Sequence, residues 1–274
     1  FGLKGKEVYG SIFHINRGNP FNLEVLVDSW PDYHTVITRP QREEMADDKD
    51  YSINTYHIFS KNLQKLPEIL GSLHVIKRQS LMIQGCLLNE KIRSVMASKV
   101  IVDCSKRFLY LTDVALKSST SNTNKLTRSH EVASSENVKF RSEVANLKPT
   151  FLDVSHSELV NNNWKFGKNE KSLSYIKNCI QKLPGYCLLS PEGNPISWSV
   201  MEVSCELRMA CTLPEHQGRG KLGQMMNAYM KYLQQNKIPF YLHVEDMNEN
   251  SHKAVRRLGF NAMPCDWHQW KSIP

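Results

Sequence analysis

No stretch of this 274-residue chain approaches the roughly 18 to 20 consecutive apolar residues that a membrane-spanning helix needs, so no membrane span is expected. The net charge is +8, yet the chain has no block of five or more basic residues and no basic stripe interleaved with aromatics. That argues against a nucleic-acid partner, and a small polyanionic ligand fits the excess as well. Cys86, Cys104, Cys179, Cys187, Cys205, Cys211 and Cys265 include no Cys-x-x-Cys pair and no paired histidine spacing of the zinc kind. They are expected to be free thiols in a reducing compartment, with no metal bound. Internal repeats are also lacking. A chain beginning at Phe1 rather than Met is expected to lack its native N-terminus, and any targeting segment with it.

What is present is ordinary for a soluble globular protein: 41% hydrophobic and 23% charged residues, in a length that suits two domains. "VYGSIFHI" (residues 8–15) is β-branched and aromatic and reads as a strand; Asn19-Pro20 then reads as a helix cap and first-turn proline for a helix over 21–30. "HTVITRP", "YSINTYHIF", "SLMIQG" and "KVIVDCSKRFLYL" read as strands, with helices at Leu63, Leu66 and Leu70 and at "LNEKIRSVMASK". Residues 117–148 shift to Ser, Thr, Asn, Lys and Glu, the composition of a solvated connector. The expected organisation is therefore an N-terminal mixed α/β domain over 1–116, a polar linker over 117–148, and a second mixed α/β domain over 149–274.

In that second part, Ser155 to Glu158 reads as a capping box opening a short helix, and Leu173, Ile176 and Ile180 as the stripe of a helix ending at Pro184-Gly185. Strands follow at "YCLLS", "ISWSVMEV" and "CELRMACTL". A helix over 220–235, the strand "PFYLHVE", a helix over 248–258 and a last strand near "NAMPCDWHQW" complete the chain.

Between strand and helix lies "HQGRGKLGQ", with Gly218, Gly220 and Gly223 spaced as Gly-x-Gly-x-x-Gly. A dinucleotide turn leaves its strand directly, whereas Pro214 to Gln217 intervene here, and too little chain follows for a dinucleotide fold. A phosphate loop of the Walker kind needs a glycine at Glu215 and a hydroxyl at Leu222, and the His-Arg-Asp and Asp-Phe-Gly of kinases are missing. The spacing Gln217-Gly-Arg-Gly220-Lys-Leu222 resembles the pyrophosphate loop of the Gcn5-related acyltransferases, with Leu222 replacing the usual final Gly or Ala. Backbone amides of such a turn, at the positive end of a helix dipole, cradle an anion. Asn248-x-x-Ser251 and Leu258-Gly259-Phe260 resemble the same superfamily's ending, although Val255 stands where its tyrosine acid often sits.

Over essentially the whole chain, "VYGSIFHINRGNPFNLEVLVDSWPDY", "WKFGKNEKSLSYIKNCIQ", "CELRMACTLPEH" and "WHQWK" resemble the glycine N-acyltransferase family. The resemblance implies a Gcn5-related acyltransferase fold in the second half and transfer of an acyl group from acyl-CoA to glycine or glutamine. Coenzyme A would come and go as co-substrate, with no cofactor held permanently. It implies a coenzyme site at Gln217, Gly218, Arg219, Gly220, Lys221, Leu222, Gly223 and Asn248, with the backbone of Cys211, Thr212 and Leu213 along the pantetheine arm. A mitochondrial location, with the endoplasmic reticulum or cytoplasm as alternatives, and a monomer are further expectations.

Amide formation from an amino acid needs a base, because the acceptor arrives as an ammonium without a lone pair. Strand alternation in "CELRMACTL" puts Glu206, Arg208 and Ala210 on one face, and Cys205, Leu207, Met209 and Cys211 on the other. Both this placement and the resemblance point to Glu206 as the base. Arg208 would hold the acceptor's carboxylate or, the favoured reading, neutralise Glu206. Cys211 as nucleophile lacks a histidine at local spacing, and His243, inside a strand, reads as a core histidine. Two rival functions remain at this stage: an acyl-CoA-binding protein without turnover, and a protein N-acetyltransferase on the same fold.

Overall fold

The computed structural model of the 274-residue chain describes residues 2–71, 75–76, 80–86, 100–113, 147–265 and 267–273. The expected helix over 88–99 and nearly all of the 117–148 connector lie outside them.

The chain opens with α1 (Lys6–Ile15), where a strand is expected from the β-branched and aromatic composition. Burial explains the difference. Glu7, Val8, Gly10, Ser11 and His14 recur at helical spacing and are all buried, so tertiary packing of that face overrides residue preference. The expected helix over 21–30 is likewise replaced, by β1 (Leu23–Val27). Asn19 does not cap a helix: at φ 47° its side chain accepts from the Leu23 N–H at 2.8 Å and donates to the Leu23 carbonyl at 2.9 Å, turning the chain into the strand.

β2 (Thr35–Pro40), β3 (Thr55–Ser60), α2 (Leu66–Gly71), β4 (Leu81–Cys86) and β5 (Val100–Thr112) follow as expected. After β6 (Pro149–Phe151) come α3 (Ser157–Asn163) and α4 (Glu170–Lys182), then β7 (Tyr186–Leu189), β8 (Pro195–Met201) and β9 (Leu207–Thr212). The capping box ahead of α3 is built by Asp153 and His156, two residues earlier than Ser155 to Glu158 suggests. The chain ends with α5 (Lys221–Gln235), β10 (Leu242–Glu245), α6 (Glu249–Arg257), β11 (Phe260–Ala262) and β12 (Trp267–Ile273).

Two sheets result. The larger runs β1-β2-β3-β4-β12-β5-β10, with β11 also on β5; the smaller runs β6-β7-β8-β9. β12 lies between β4 and β5, pairing Trp267 with both Cys86 and Arg107, so strands from either side of the connector share one sheet. The same interleaving corrects the expectation of seven free thiols. Cys86 and Cys265 form a disulfide across 179 residues, a separation that sequence spacing does not reveal.

α5 packs on one face of the smaller sheet through Met225, Met226, Tyr229 and Leu233, and α3 and α4 cover the other through Val160, Ile176 and Ile180. Leu207 joins the first cluster and Met209 the second, so the two are not on one face as strict alternation predicts. Met209 has φ 55° beside a register shift in the pairing of β8 with β9, and such a bulge turns the side chains beyond it to the opposite face.

Candidate active site

β9 and β10 run side by side only at their start. A parallel bridge joins Glu206 to Tyr241, and the Leu207 N–H donates to the Tyr241 carbonyl at 2.8 Å. Beyond it β9 is the edge of the smaller sheet and β10 the edge of the larger. The two strands thus enclose a wedge, and Glu206 sits at its narrow end.

At the far end of β9 lies the glycine-rich loop that joins it to α5. Gln217 follows a single turn of 3-10 helix (Pro214–His216), and its side-chain amide donates to the Thr212 carbonyl at 2.9 Å, tying loop to strand end. Gly218 and Gly220 have φ 72° and 69°, a region that residues with a Cβ rarely adopt. Gly220 is the N-cap of α5 and makes no side-chain cap to the first amides of that 15-residue helix. Arg219 is exposed beside them, and Lys221 and Leu222 are half-buried. Gly223 lies inside the helix, where a Cβ would meet only Leu258 at 4.0 Å, so close packing does not demand glycine there. Asn248 spends its side-chain oxygen on the Ser251 N–H at 3.1 Å, as the N-cap of α6.

Along β9, the Ser197 hydroxyl is 2.8 Å from that of Thr212 and donates to the Cys211 carbonyl at 3.2 Å, while the Leu213 N–H donates to the Ile196 carbonyl. Burial pushes the Cys211 thiol up from its ordinary value, the opposite of what a nucleophile needs. Val255, at the position of the superfamily's tyrosine, belongs to the core with α5.

Glu206 is 1% exposed. Arg208 approaches it, Nε to Oε1 at 3.7 Å, but the stronger partner of Arg208 is Glu202, whose two oxygens both accept from Nη1 at 2.9 Å. Burial works against the Arg208 charge, and Glu202 and Glu206 more than offset it, raising its pKa. Arg208 is thus paired mainly with Glu202 and only more distantly with Glu206, the acid expected for it. Arg208 and Glu202 also line a cavity of about 150 Å³ together with Trp164, Tyr175, Lys171 and Lys271.

Sequence reasoning passes over two residues of this cluster. His243 on β10 has a fully buried side chain whose Nδ1 lies 3.3 Å from Glu206 Oε1 and whose Nε2 lies 3.5 Å from Glu7 Oε1. Trp267 stacks on its ring with centroids 4.0 Å apart. Glu7, on α1, is buried as deeply as Glu206. The signal for Glu7 is the polar stripe Glu7, Ser11, His14, visible only once that segment is read as a helix; none singles out His243. Burial tends to raise the Glu206 carboxyl, but His243 and Arg208 prevail and hold it at about 2. For Glu7 burial dominates and the pKa is raised.

Among the described residues no helix is long and apolar enough to cross a membrane, and no group of His, Cys, Asp and Glu is arranged to hold a metal ion.

Comparison with known proteins agrees with this geometry. Human glycine N-acyltransferase-like protein 2 is 48% identical over 98% of this chain and 90% of its own length. Bovine glycine N-phenylacetyltransferase is 40% identical over 98% of this chain and 91% of its own. A solved Drosophila protein covers 100% of this chain and 92% of its own at TM-score 0.71 and 13% identity. A Gcn5-related N-acetyltransferase from Kribbella flavida covers 99% and 96% at TM-score 0.55 and 10% identity, which is a likeness of fold. Residues 5–184 match the aralkyl acyl-CoA:amino acid N-acyltransferase family and residues 186–274 its C-terminal region. With both regions matched in order along nearly the whole chain, the protein belongs to the aralkyl acyl-CoA:amino acid N-acyltransferase family and is a transferase of acyl groups from acyl-CoA to amino acids.

Proposed function

We propose that the acyl group passes directly from the thioester to the amine of glycine or glutamine, with Glu206 as general base and the coenzyme pyrophosphate on the amides of the 218–223 loop. The supporting observation is the wedge: a buried carboxylate lies where β9 and β10 part, with the open start of α5 beyond the other end of β9. The pantetheine arm adds along the free edge of β9 by backbone hydrogen bonds, which bring the thioester carbonyl toward Glu206. Once Glu206 takes a proton from the ammonium, the nitrogen lone pair attacks the carbonyl carbon, the carbon–sulfur bond breaks, and the second proton shed by the nitrogen goes to the departing thiolate, so that the products are the neutral amide and the free thiol of coenzyme A.

The lysines of the 150 Å³ cavity, Lys171 and Lys271, suit the acceptor's carboxylate, and its aromatic wall suits an apolar acyl group. On this reading residues 149–274 carry the coenzyme, while residues 1–116 complete the sheet and enclose the acceptor. A mitochondrial location and a monomeric state belong to the same proposal and are read by cell fractionation and light scattering.

Benzoyl-, phenylacetyl- and fatty acyl-CoA, each offered with glycine and with glutamine, should release free thiol in at least one pairing. Binding of every thioester without thiol release would favour a non-catalytic acyl-CoA binder.

The cradle should matter more than the charge around it. Gly220→Val forces a β-branched residue into φ 69° and distorts the start of α5, whereas Lys221→Ala removes only a charge that salt screens. Calorimetric titration with a CoA thioester should show a far larger loss for Gly220→Val, with thermal unfolding confirming that both variants fold. Equal losses would contradict the cradle.

A further inference from the structure

The narrow end of the wedge holds more titratable groups than a single base requires. Both oxygens of Glu206, both oxygens of Glu7 and both ring nitrogens of His243 are buried and make no hydrogen bond, although the three side chains stand in line at 3.3 and 3.5 Å. Buried polar groups without partners are rare, because each forfeits its hydration. Six such atoms on three neighbouring side chains therefore call for a function that packing does not supply.

We infer that Glu7, contributed by the first helix, is the far end of a buried array Glu206–His243–Glu7 that takes up the proton lost by the acceptor amine. The inference rests on Glu206 being the base. Glu7 and His243 touch no substrate on this account; they act through Glu206, as positioning and proton-holding residues.

The proton balance is simple. The ammonium gives a proton to a Glu206 oxygen; the resulting carboxyl passes it to the Nδ1 lone pair of a neutral His243 that carries its hydrogen on Nε2; and that Nε2 hydrogen moves to Glu7. The amine has lost one proton, Glu7 has gained one, and the ring ends neutral as the other tautomer. Burial raises the Glu7 carboxyl, the direction that suits the terminal proton holder of this path.

The surroundings fit the same path. Arg208 and Arg107 face the Glu206 end, and each lowers its carboxyl. His57 from β3 and Tyr241, just before β10, also feel the Glu206 charge, and burial holds the His57 imidazole down at about 4, so it adds no positive charge at neutral pH. The stacked Trp267 fixes the plane of the His243 ring. Helix α1 is held on two sides, with His14 Nε2 3.1 Å from Cys205 Sγ, next to the base, and Ser11 Oγ 3.2 Å from His57 Nδ1 on β3.

Glu7→Gln in the full chain tests the array, with benzoyl-CoA and glycine as probes and free thiol as the readout. The expected result is a kcat lower by about ten- to a hundredfold, less than loss of the base itself, with an unchanged KM for acyl-CoA and partial rescue at alkaline pH, where more amine arrives neutral. A wild-type kcat and pH profile in Glu7→Gln, with Glu206→Gln impaired, would overturn the array and leave the base standing; normal rates in both would remove the base as well. Loss of activity without alkaline rescue would mark Glu7 as merely structural. Should Glu7→Gln not fold, the wild type decides the matter: single-turnover rates in mixtures of light and heavy water should curve downward, because several protons move, and a straight line would overturn the proposal.

Discussion

Glu206→Gln is expected to lower kcat by roughly 10²- to 10⁴-fold while acyl-CoA affinity barely moves. The substitution keeps the shape of a side chain that is 1% exposed and removes only its capacity to take a proton. The coenzyme should be unaffected, since the phosphate loop lies beyond the opposite end of β9. The pH dependence sharpens the test. The Glu206 carboxyl is held at about 2, so it is ionised throughout the neutral range and contributes no acid limb there. What changes with pH is the acceptor, whose neutral fraction rises about tenfold per unit below its own pKa. The variant depends on that fraction alone and should recover more steeply than wild type as pH rises. If Glu206 only supported Arg208, its loss would lower stability or acceptor binding without alkaline rescue, and Arg208→Gln would look the same. Glu202 already holds Arg208 at 2.9 Å, which argues against that alternative. Near-normal kcat for Glu206→Gln at neutral pH would end the assignment.

Gly10→Ala should destabilise the protein, although helix preference alone predicts a gain of about 1 kcal/mol. A Cβ at Gly10 would lie 1.8 Å from the Ser204 carbonyl oxygen and 2.4 Å from its carbon. Both are backbone atoms, in the turn that leads into Glu206, so no side chain can swing aside. Overpacking of this kind costs about 1–3 kcal/mol and sometimes more, enough to reverse the sign. The same displacement shifts Glu206 relative to Glu7 and His243, so kcat should fall together with Tm. Gly71, at the end of α2, is the control: a Cβ there meets nothing within 4 Å, and Gly71→Ala should leave both nearly unchanged. A raised Tm in Gly10→Ala would show that α1 does not press on this turn as described.

Residues that act on near neighbours were legible in the sequence. The 218–223 loop announces itself because the left-handed turn at Gly218 and Gly220 and the start of α5 are local events, set by glycine and by the apolar spacing of Met225, Met226, Tyr229 and Leu233. The alternation that sets Glu206 and Arg208 together is local too, and it holds until the bulge at Met209 ends it. Composition favours a strand over 8–15 and Asn19-Pro20 favours a helix over 21–30; packing of α1 against a turn nearly 200 residues away and the Asn19–Leu23 hydrogen bonds decide otherwise.

The sequence by itself therefore determined the left-handed glycine turn at the start of α5, the strand β9 that follows Glu206 and, through whole-chain likeness, the family. Tertiary structure alone decided the placement of β12 between β4 and β5, the Cys86–Cys265 disulfide, and the meeting of Glu7, His243 and Glu206. The reason is physical. Local conformation follows from steric limits and periodicity within a few residues, whereas a buried charge array depends on which distant surfaces exclude water together, and that is settled only when the sheets close.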